Sequence, residues 1–310
     1  MNTVLEVSHL IKDYGSFRAV NDISFSIPKG KIVGFLGPNG AGKTTTIQIL
    51  LGITSPTAGK IAYFGQDFAK HRGEILQRIN FTSAFNTLLN KISVYENMVV
   101  FAYLYGLKNP KDKINELLNH FEIAHIAKNR YQDLSTGQKT RVNFAKSLLN
   151  DPEILLMDEP TASLDPDIAD KTLTLIEHLR DNRELSILYT SHNMSEITRL
   201  CDEVIIIDKG IIVAQDTPVG LTKMIPNAQV RLVFDNPKDI VQKYLDAKDY
   251  QYSFETKNVV LINTQEKMIP ALIFGITKTD ILITDIEVIK PSLDDVFLHF
   301  ARNKNELSAN

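Results

Sequence analysis

The feature that most constrains this 310-residue chain is a glycine-rich segment between an apolar run and a helix-like run. The segment fits the pattern G-x-x-x-x-G-K-[ST]. It consists of Gly37, Pro38, Asn39, Gly40, Ala41, Gly42, Lys43 and Thr44, with Thr45 directly after it. Residues 31–36 predict a buried strand and residues 44–51 predict a helix. Because glycines let successive N–H groups face one anion at the helix start, the segment predicts a binding site for a nucleotide such as ATP.

Two acids follow a second apolar run. Residues 154–157 predict a buried strand, and Asp158 and Glu159 come directly after it. Parallel sheets bind ligands at the carboxyl ends of their strands. We therefore expect Lys43 to reach the β- and γ-phosphates, and Thr44 and Asp158 to hold Mg²⁺. Glu159 is expected to orient or deprotonate the attacking water. The alternative is a pair of solvated loop acids.

A third segment, at residues 134–138, precedes another predicted helix. Ser135 and Gln138 have the spacing of a capping box, in which each side chain bonds the other residue's backbone N–H. A cap would account for the serine and the glutamine, but not for the glycine at position 137.

These segments resemble the motifs of the ABC ATPases. Residues 134–138, with Thr136 and Gly137 at their centre, are similar to that family's LSGGQ signature, with threonine in place of the first glycine. Residues 158–161 look like its Walker B motif. Residues 162–165, which end in Asp165, look like its D-loop. The phosphate loop and these motifs occur in the family's order.

Two single residues extend the resemblance, which covers residues 3 to about 220. His192 looks like the switch histidine, which senses the γ-phosphate, and Tyr14 looks like the aromatic residue that stacks on adenine. The resemblance implies an ATPase subunit that drives a membrane permease on another chain. It also implies that the signature, with Ser135, Thr136, Gly137 and Gln138, faces the ATP of a second cassette, in a homodimer or a heterodimer.

Strands that alternate with helices predict an α/β domain over residues 1–220. By resemblance it is a P-loop NTPase ABC cassette, a mixed β-sheet core with an antiparallel β subdomain and a helical subdomain near residues 85–150. Residues 3–7 and 23–27 predict antiparallel strands. Residues 221–310 predict a small α+β C-terminal domain. Its order of elements, β-α-β-β-α-β, is that of the ferredoxin-like pattern.

The chain departs from the family pattern at Ala84, where a Q-loop glutamine is expected. Ser83, Asn86 or a water would have to take its place. Residues 291–298 resemble the closing motif of cassettes that serve ABC-2-type exporters of drugs, antibiotics, peptides or polysaccharides. The simpler explanation of these residues is a capped terminal helix.

Composition narrows the set of partners. The formal net charge is −3, which does not favour nucleic acid, and the single cysteine, Cys201, fits a reducing compartment. No apolar run approaches the roughly 20 residues that span a bilayer. We expect a cytoplasmic protein, peripheral on the inner face of the membrane. The alternative is a soluble ABC-type ATPase that acts as a regulatory or immunity switch, or on nucleic acid or the ribosome.

Overall fold

The computed structural model describes residues 3–83, 87–162, 164–183, 185–225, 227–279 and 281–307. They form two compact units, Met1–Pro218 and Val219–Asn310. Ala84 and Asn86, which bear on the missing Q-loop glutamine, lie outside the described residues.

The centre of the first unit is a six-stranded mixed sheet. Its strands are β3 (Ile32–Leu36), β6 (Ile79–Ser83), β7 (Ile154–Asp158), β8 (Ser186–Thr190), β9 (Glu203–Asp208) and β10 (Ile211–Asp216). Their order is β10-β9-β3-β8-β7-β6, and only β10 runs antiparallel to its neighbour. Every residue of β3 and β8 is buried, which explains the continuous apolar sequence of β3 and the apolar centre of β8. The loops that follow β3, β7 and β8 therefore meet at one edge of the sheet.

A second sheet in this unit is antiparallel. It contains β1 (Thr3–Tyr14), β2 (Phe17–Pro28), β4 (Ala58–Tyr63) and β5 (Gln66–Asp67) in the order β2-β1-β4-β5. The predicted strands at 3–7 and 23–27 were too short, because β1 and β2 have 12 residues each. Register shifts beyond Val7 and beyond Leu10 interrupt the alternation of side chains. Such bulges remove the period of two on which the sequence prediction depended.

Helices pack around the two sheets of the first unit. They are α1 (Lys43–Leu50), α2 (Arg72–Arg78), α3 (Val94–Leu104), α4 (Lys111–His120), α5 (Thr136–Ser147), α6 (Pro166–Arg183) and α7 (Met194–Leu200). Three of them, α3 to α5, lie between β6 and β7 in the chain and share a core that includes the stacked rings of Phe121 and Phe144. A short helix, α8 (Pro218–Lys223), follows β10 in the chain. In the part of the chain that the structure describes, no helix is both long and apolar enough to cross a membrane.

The second unit is a four-stranded antiparallel sheet with helices. Its elements are β11 (Asn227–Phe234), α9 (Lys238–Ala247), β12 (Gln251–Thr256), β13 (Val259–Gln265), α10 (Ile269–Ile276), β14 (Ile283–Ile289) and α11 (Leu293–Leu307). The strand order β12-β13-β11-β14, with every pair antiparallel, is the arrangement of a split βαβ fold. Val230 and Leu232 of β11 are fully buried, and they share a core with Leu245 of α9 and Leu272 of α10.

Residues 291–298 have a structural explanation in this unit. The Ser292 hydroxyl accepts the N–H of Asp295 (3.2 Å), and the Asp295 carboxylate accepts the N–H of Ser292 (2.8 Å). Leu293 and Val296 are buried. A capped helix with two core residues therefore accounts for most of this segment.

Candidate functional site

The phosphate loop follows β3, and its glycines are required by space and by backbone conformation. A Cβ at position 37 would lie 2.3 Å from the carbonyl oxygen of Ile207. Gly42 has φ of +106°, which L side chains rarely adopt, and a Cβ there would lie 2.5 Å from the carbonyl oxygen of Ala19. The turn between these glycines carries the chain from β3 into α1. The first N–H groups of α1 have no helical acceptor and are free to bind an anion.

A cavity of about 440 Å³ opens beside this loop, within the usual range for small-molecule sites. It is lined by Phe17, Ala19, Pro38, Asn39, Gly40, Gly42, Lys43, Thr44, Thr45, Asp158 and Glu159. Of the phosphate-loop residues named from the sequence, only Gly37 and Ala41 are not part of the lining. The two acids after β7 therefore lie on the same cavity as the loop after β3.

Lys43 is the buried cation of this site. The residue is 6% exposed, and its ammonium donates to the carbonyl oxygens of Gly37 (2.6 Å) and Pro38 (3.2 Å). Burial lowers the pKa of Lys43, while the carboxylates of Glu159 and Asp158 act in the opposite direction. A charge held by neutral carbonyls in a poorly solvated place has much to gain from an anionic partner.

Asp158 and Thr44 both line the cavity and are in direct contact. The Thr44 hydroxyl lies 3.4 Å from Oδ2 of Asp158. The other oxygen of this carboxylate, Oδ1, accepts a hydrogen bond of 2.7 Å from the hydroxyl of Thr190, the last residue of β8. Asp158 and Thr190 are register partners on adjacent parallel strands, so the sheet itself fixes this pair.

Glu159 and His192 lie together at the same edge. Glu159 has φ of +48°, an uncommon value for a residue with a side chain. Its N–H donates to both the carbonyl and the hydroxyl oxygen of Thr190 (3.1 and 3.0 Å), which holds this conformation. Oε2 of Glu159 is 3.2 Å from Nδ1 of His192. The His192 side chain is 67% exposed, whereas that of Glu159 is 20% exposed. An accessible imidazole next to a shielded carboxylate is suited to proton transfer.

Two aromatic rings stand at the tip of the β1–β2 hairpin. Tyr14 and Phe17 are cross-strand partners, and their exposed fractions are 47% and 61%. Phe17 lines the cavity beside the phosphate loop, whereas Tyr14 is not among its lining residues. The Tyr14 ring has the ammonium of Lys12 at 4.8 Å from its centre.

The signature segment begins α5. Ser135 accepts the N–H of Gln138 (3.3 Å), and the Gln138 side chain accepts the N–H of Ser135 (3.0 Å), so the predicted capping box is confirmed. A Cβ at Gly137 would lie 3.0 Å from Cγ2 of Ile168 in α6, so a larger residue here would require the Ile168 side chain to shift. Among the described lining residues of the cavity, none comes from residues 135–138. Asp165 is exposed, and its carbonyl oxygen accepts the N–H of Ala169 in the first turn of α6.

The chemistry of these groups fits a magnesium-bound triphosphate. The loop offers N–H groups and a buried ammonium to phosphate oxygens. Thr44 and Asp158 offer a hydroxyl and a carboxylate oxygen 3.4 Å apart, and Mg²⁺ prefers oxygen ligands. Gly37 and Gly42 keep the backbone where a Cβ would collide.

Sequence reasoning missed two residues of this site. Thr190 fixes Asp158 and Glu159, and its only signal was its position at the end of the strand next to β7. Phe17 lines the cavity, and its signal was its place across the hairpin turn from Tyr14.

Comparison with known proteins identifies the family. The model of the family described as ABC transporter matches residues 20–162. The bacitracin transport ATP-binding protein BcrA of Bacillus licheniformis is 37% identical over 262 residues, 84% of this chain and 79% of that protein. The linearmycin resistance ATP-binding protein LnrL of Bacillus subtilis (strain 168) is 29% identical over 304 residues, 96% of this chain and 97% of the relative.

A solved structure agrees with these sequence matches. The ATP-binding subunit of an ABC transporter superposes with a TM-score of 0.65 at 26% identity, and the match covers 71% of this chain and 92% of that one. The mixed sheet, the phosphate loop and the acids after β7 thus belong to an ABC ATPase cassette. The chain is a member of the ABC transporter family, one of its ATP-binding subunits that hydrolyse ATP to drive transport.

Proposed function

We propose that ATP hydrolysis takes place in the cavity between the phosphate loop and the acids after β7. Lys43 and the loop N–H groups bind the β- and γ-phosphates, and Tyr14 and Phe17 hold the adenine. Thr44 and Asp158 hold Mg²⁺, which would neutralise phosphate charge. Glu159 orients and deprotonates the attacking water, and His192 donates a hydrogen bond to the γ-phosphate. The contacts of Asp158 and Glu159 with Thr190 support these roles, because they hold both acids in place.

We further propose that two cassettes close around two ATP molecules. Ser135 and the N–H of Gly137 then face the γ-phosphate bound by the other copy, and Asp165 lies at the interface between the two copies. The position of the signature supports this arrangement, since it is not part of the cavity lining within one chain. The same segment caps α5, so its N–H groups lie at a helix start, where anions are stabilised.

We propose that the chain drives the export of an antibiotic or a similar compound through a membrane permease on another chain. The two relatives reported above are named for bacitracin transport and linearmycin resistance, and the second matches nearly the whole chain. The chain would then act at the inner face of the membrane, bound to its permease. ATP would close the cassettes and hydrolysis would reopen them, which shifts the permease between its two access states.

The observation that carries the proposal is the meeting of Thr44 with Asp158, and of Glu159 with His192, at one sheet edge. The test is to purify the tagged chain from detergent-solubilised membranes of its own host and identify what accompanies it. We expect a multi-spanning membrane protein, and ATPase activity that EDTA abolishes. Host cells that carry only Lys43→Met should be more sensitive to an antibiotic that the wild-type strain tolerates.

The alternative is a nucleotide-dependent switch without transport. It would give a chain that stays out of the membrane fraction and purifies with ribosomes, nucleic acid or no partner. Activity that persists in excess EDTA would contradict the Mg²⁺ assignment but not the family.

A further inference from the structure

A buried carboxylate is hydrogen-bonded to residues that lie next to Glu159 and His192 in the chain. Glu196 of α7 is 5% exposed, and its Oε2 accepts three hydrogen bonds of 2.8 Å each. The donors are the hydroxyls of Thr161, Tyr189 and Ser191, which are also buried. Its other oxygen, Oε1, lies 3.4 Å from the side-chain amide of Asn193. Burying a carboxylate costs free energy unless hydrogen bonds compensate for the lost water, and here three hydroxyls supply that compensation at one oxygen atom.

The three donors come from the two loops that carry the reacting groups and from the strand before one of them. Thr161 is two residues after Glu159, and Ser191 immediately precedes His192. Tyr189 belongs to β8, which leads into the histidine loop. Oε2 of Glu196 therefore joins the bases of both loops at a single atom. Burial and the neighbouring Glu196 carboxylate raise the pKa of Tyr189, so its phenol keeps the proton that it donates.

An exposed arginine on α7 makes a second set of contacts, with the preceding helix α6. Arg199, three residues after Glu196, bonds both carboxylate oxygens of Glu177 (2.9 Å each) and Oδ1 of Asp170 (2.6 Å). Both acids lie on α6, the helix that follows Asp165. Glu196 therefore holds α7 to the loop that carries Glu159, and Arg199 holds α7 to α6.

We propose that Glu196 is a positioning residue that keeps His192 in register with Glu159, by serving as the shared acceptor for Thr161, Tyr189 and Ser191. The inference rests on the proposed roles of His192 and Glu159 in hydrolysis. A glutamine replaces this acceptor poorly, because a neutral amide oxygen accepts weaker hydrogen bonds than a carboxylate does. Its amide nitrogen is a donor, and in the position of Oε1 it would face the side-chain amide of Asn193. The loop bases would then separate although the volume is unchanged.

The test is Glu196→Gln, with Thr198→Ala as the matched control on the exposed side of α7. The Thr198 hydroxyl bonds only the carbonyl oxygen of Met194 among the described contacts. We expect Glu196→Gln to lower kcat at least tenfold, while the Kd for ATP stays within about threefold of the wild-type value because the phosphate loop is untouched. The control should match the wild-type protein in both. A wild-type kcat in the folded glutamine variant would overturn the proposal.

A double-mutant cycle separates positioning from a general loss of stability. If Glu196 acts through His192, Glu196→Gln should not slow a His192→Ala protein further. Multiplying effects would show that Glu196 acts independently, and would overturn the proposal. A His192→Ala protein with wild-type kcat would instead overturn the role of His192, and this inference with it. The two failures are therefore distinguishable.

A milder variant covers the case in which Glu196→Gln does not fold. Tyr189→Phe keeps the ring and removes one of the three donors. We expect a kcat two- to fivefold below the wild-type value at unchanged Kd for ATP, and again no added effect in the His192→Ala background. An unchanged kcat, or a loss that multiplies with His192→Ala, would contradict the proposal.

Discussion

Nδ1 of His192 lies 3.2 Å from Oε2 of Glu159, although 33 residues separate them in the chain. The contact joins the loop after β8 to the loop after β7, and Thr190 supports it by accepting the N–H of Glu159. The His192 side chain is the more exposed of the two, whereas Glu159 is the one that lines the cavity beside the phosphate loop.

We expect His192→Ala to lower kcat about a hundredfold, the lower range for loss of a group that handles a proton or a developing charge. The Kd for ATP should change little, because Lys43 and the phosphate loop remain. Phosphate release under saturating ATP measures the first quantity, and titration with a fluorescent ATP analogue measures the second. Equal losses in kcat/KM and affinity, with kcat unchanged, would place His192 in binding instead.

Ser135 can be tested separately as a helix cap and as a phosphate ligand. Ser135→Ala removes the cap and should cost about 0.5–2 kcal/mol of folding free energy. Ser135→Asp keeps a capping side chain, so its Tm should match the wild-type value, but it brings a negative charge toward the triphosphate. Both variants should lose ATP-driven dimerisation. An aspartate variant that still dimerises would reduce Ser135 to a structural cap.

The aromatic pair at the hairpin tip makes a prediction about the base. Tyr14→Ala and Phe17→Ala should each weaken ATP binding about tenfold, in line with roughly 1–3 kcal/mol for stacking on a base. Tripolyphosphate, which has no base, should bind both variants as tightly as it binds the wild-type protein. Equal weakening for both ligands would mean that the rings support the phosphate loop and do not contact adenine.

Lys146 gives the chain a pH-dependent stability. Its ammonium is buried near Oδ1 of Asn80 (3.4 Å) and the carbonyl oxygen of Phe81 (3.3 Å), and burial lowers its pKa to about 8. The unfolded chain, with an ordinary lysine pKa of about 10.4, therefore binds more protons than the folded chain between about pH 8 and pH 10. The penalty of the buried charge is fully present below pH 8 and is lost as the pH rises.

Stability of the wild-type protein relative to Lys146→Met should therefore increase by up to about 1.4 kcal/mol per pH unit in this window. Thermal unfolding at pH 7, 8 and 9.5, followed by circular dichroism, measures it. Lys108→Met, at an exposed position, is the control and should show no such trend. A constant difference between wild type and Lys146→Met across the range would contradict the buried charge.

The sequence was most informative where chemistry needs fixed residue types at fixed spacing. The phosphate loop, the acids at 158 and 159, and the cap at Ser135 could be found because each depends on neighbours in the chain. Thr190 and Phe17 could not, because their contacts arise from the pairing of β7 with β8 and of β1 with β2. The length of β1 was also hidden, since its bulges break the alternation of side chains.

The fold of the second unit followed from the order of its predicted elements, since β-α-β-β-α-β has few compact antiparallel arrangements. Glu196 carried no signal, because an acid in the first turn of a helix is ordinary and only the structure buries it among three hydroxyls. Local motifs therefore predicted the phosphate loop and the two acids, whereas the residues that fix the acids in place can be found only from the tertiary fold.

The decisive measurement is ATP turnover together with oligomeric state for Glu159→Gln, by phosphate release and light scattering. The glutamine keeps the size and polarity of the side chain and removes its ability to take a proton. We predict at least a hundredfold loss of turnover, retained ATP binding, and an ATP-dependent doubling of mass that Lys43→Met abolishes in the same background. Turnover at the wild-type rate, or a protein that binds ATP and stays monomeric, would contradict hydrolysis by Glu159 at a site shared between two cassettes.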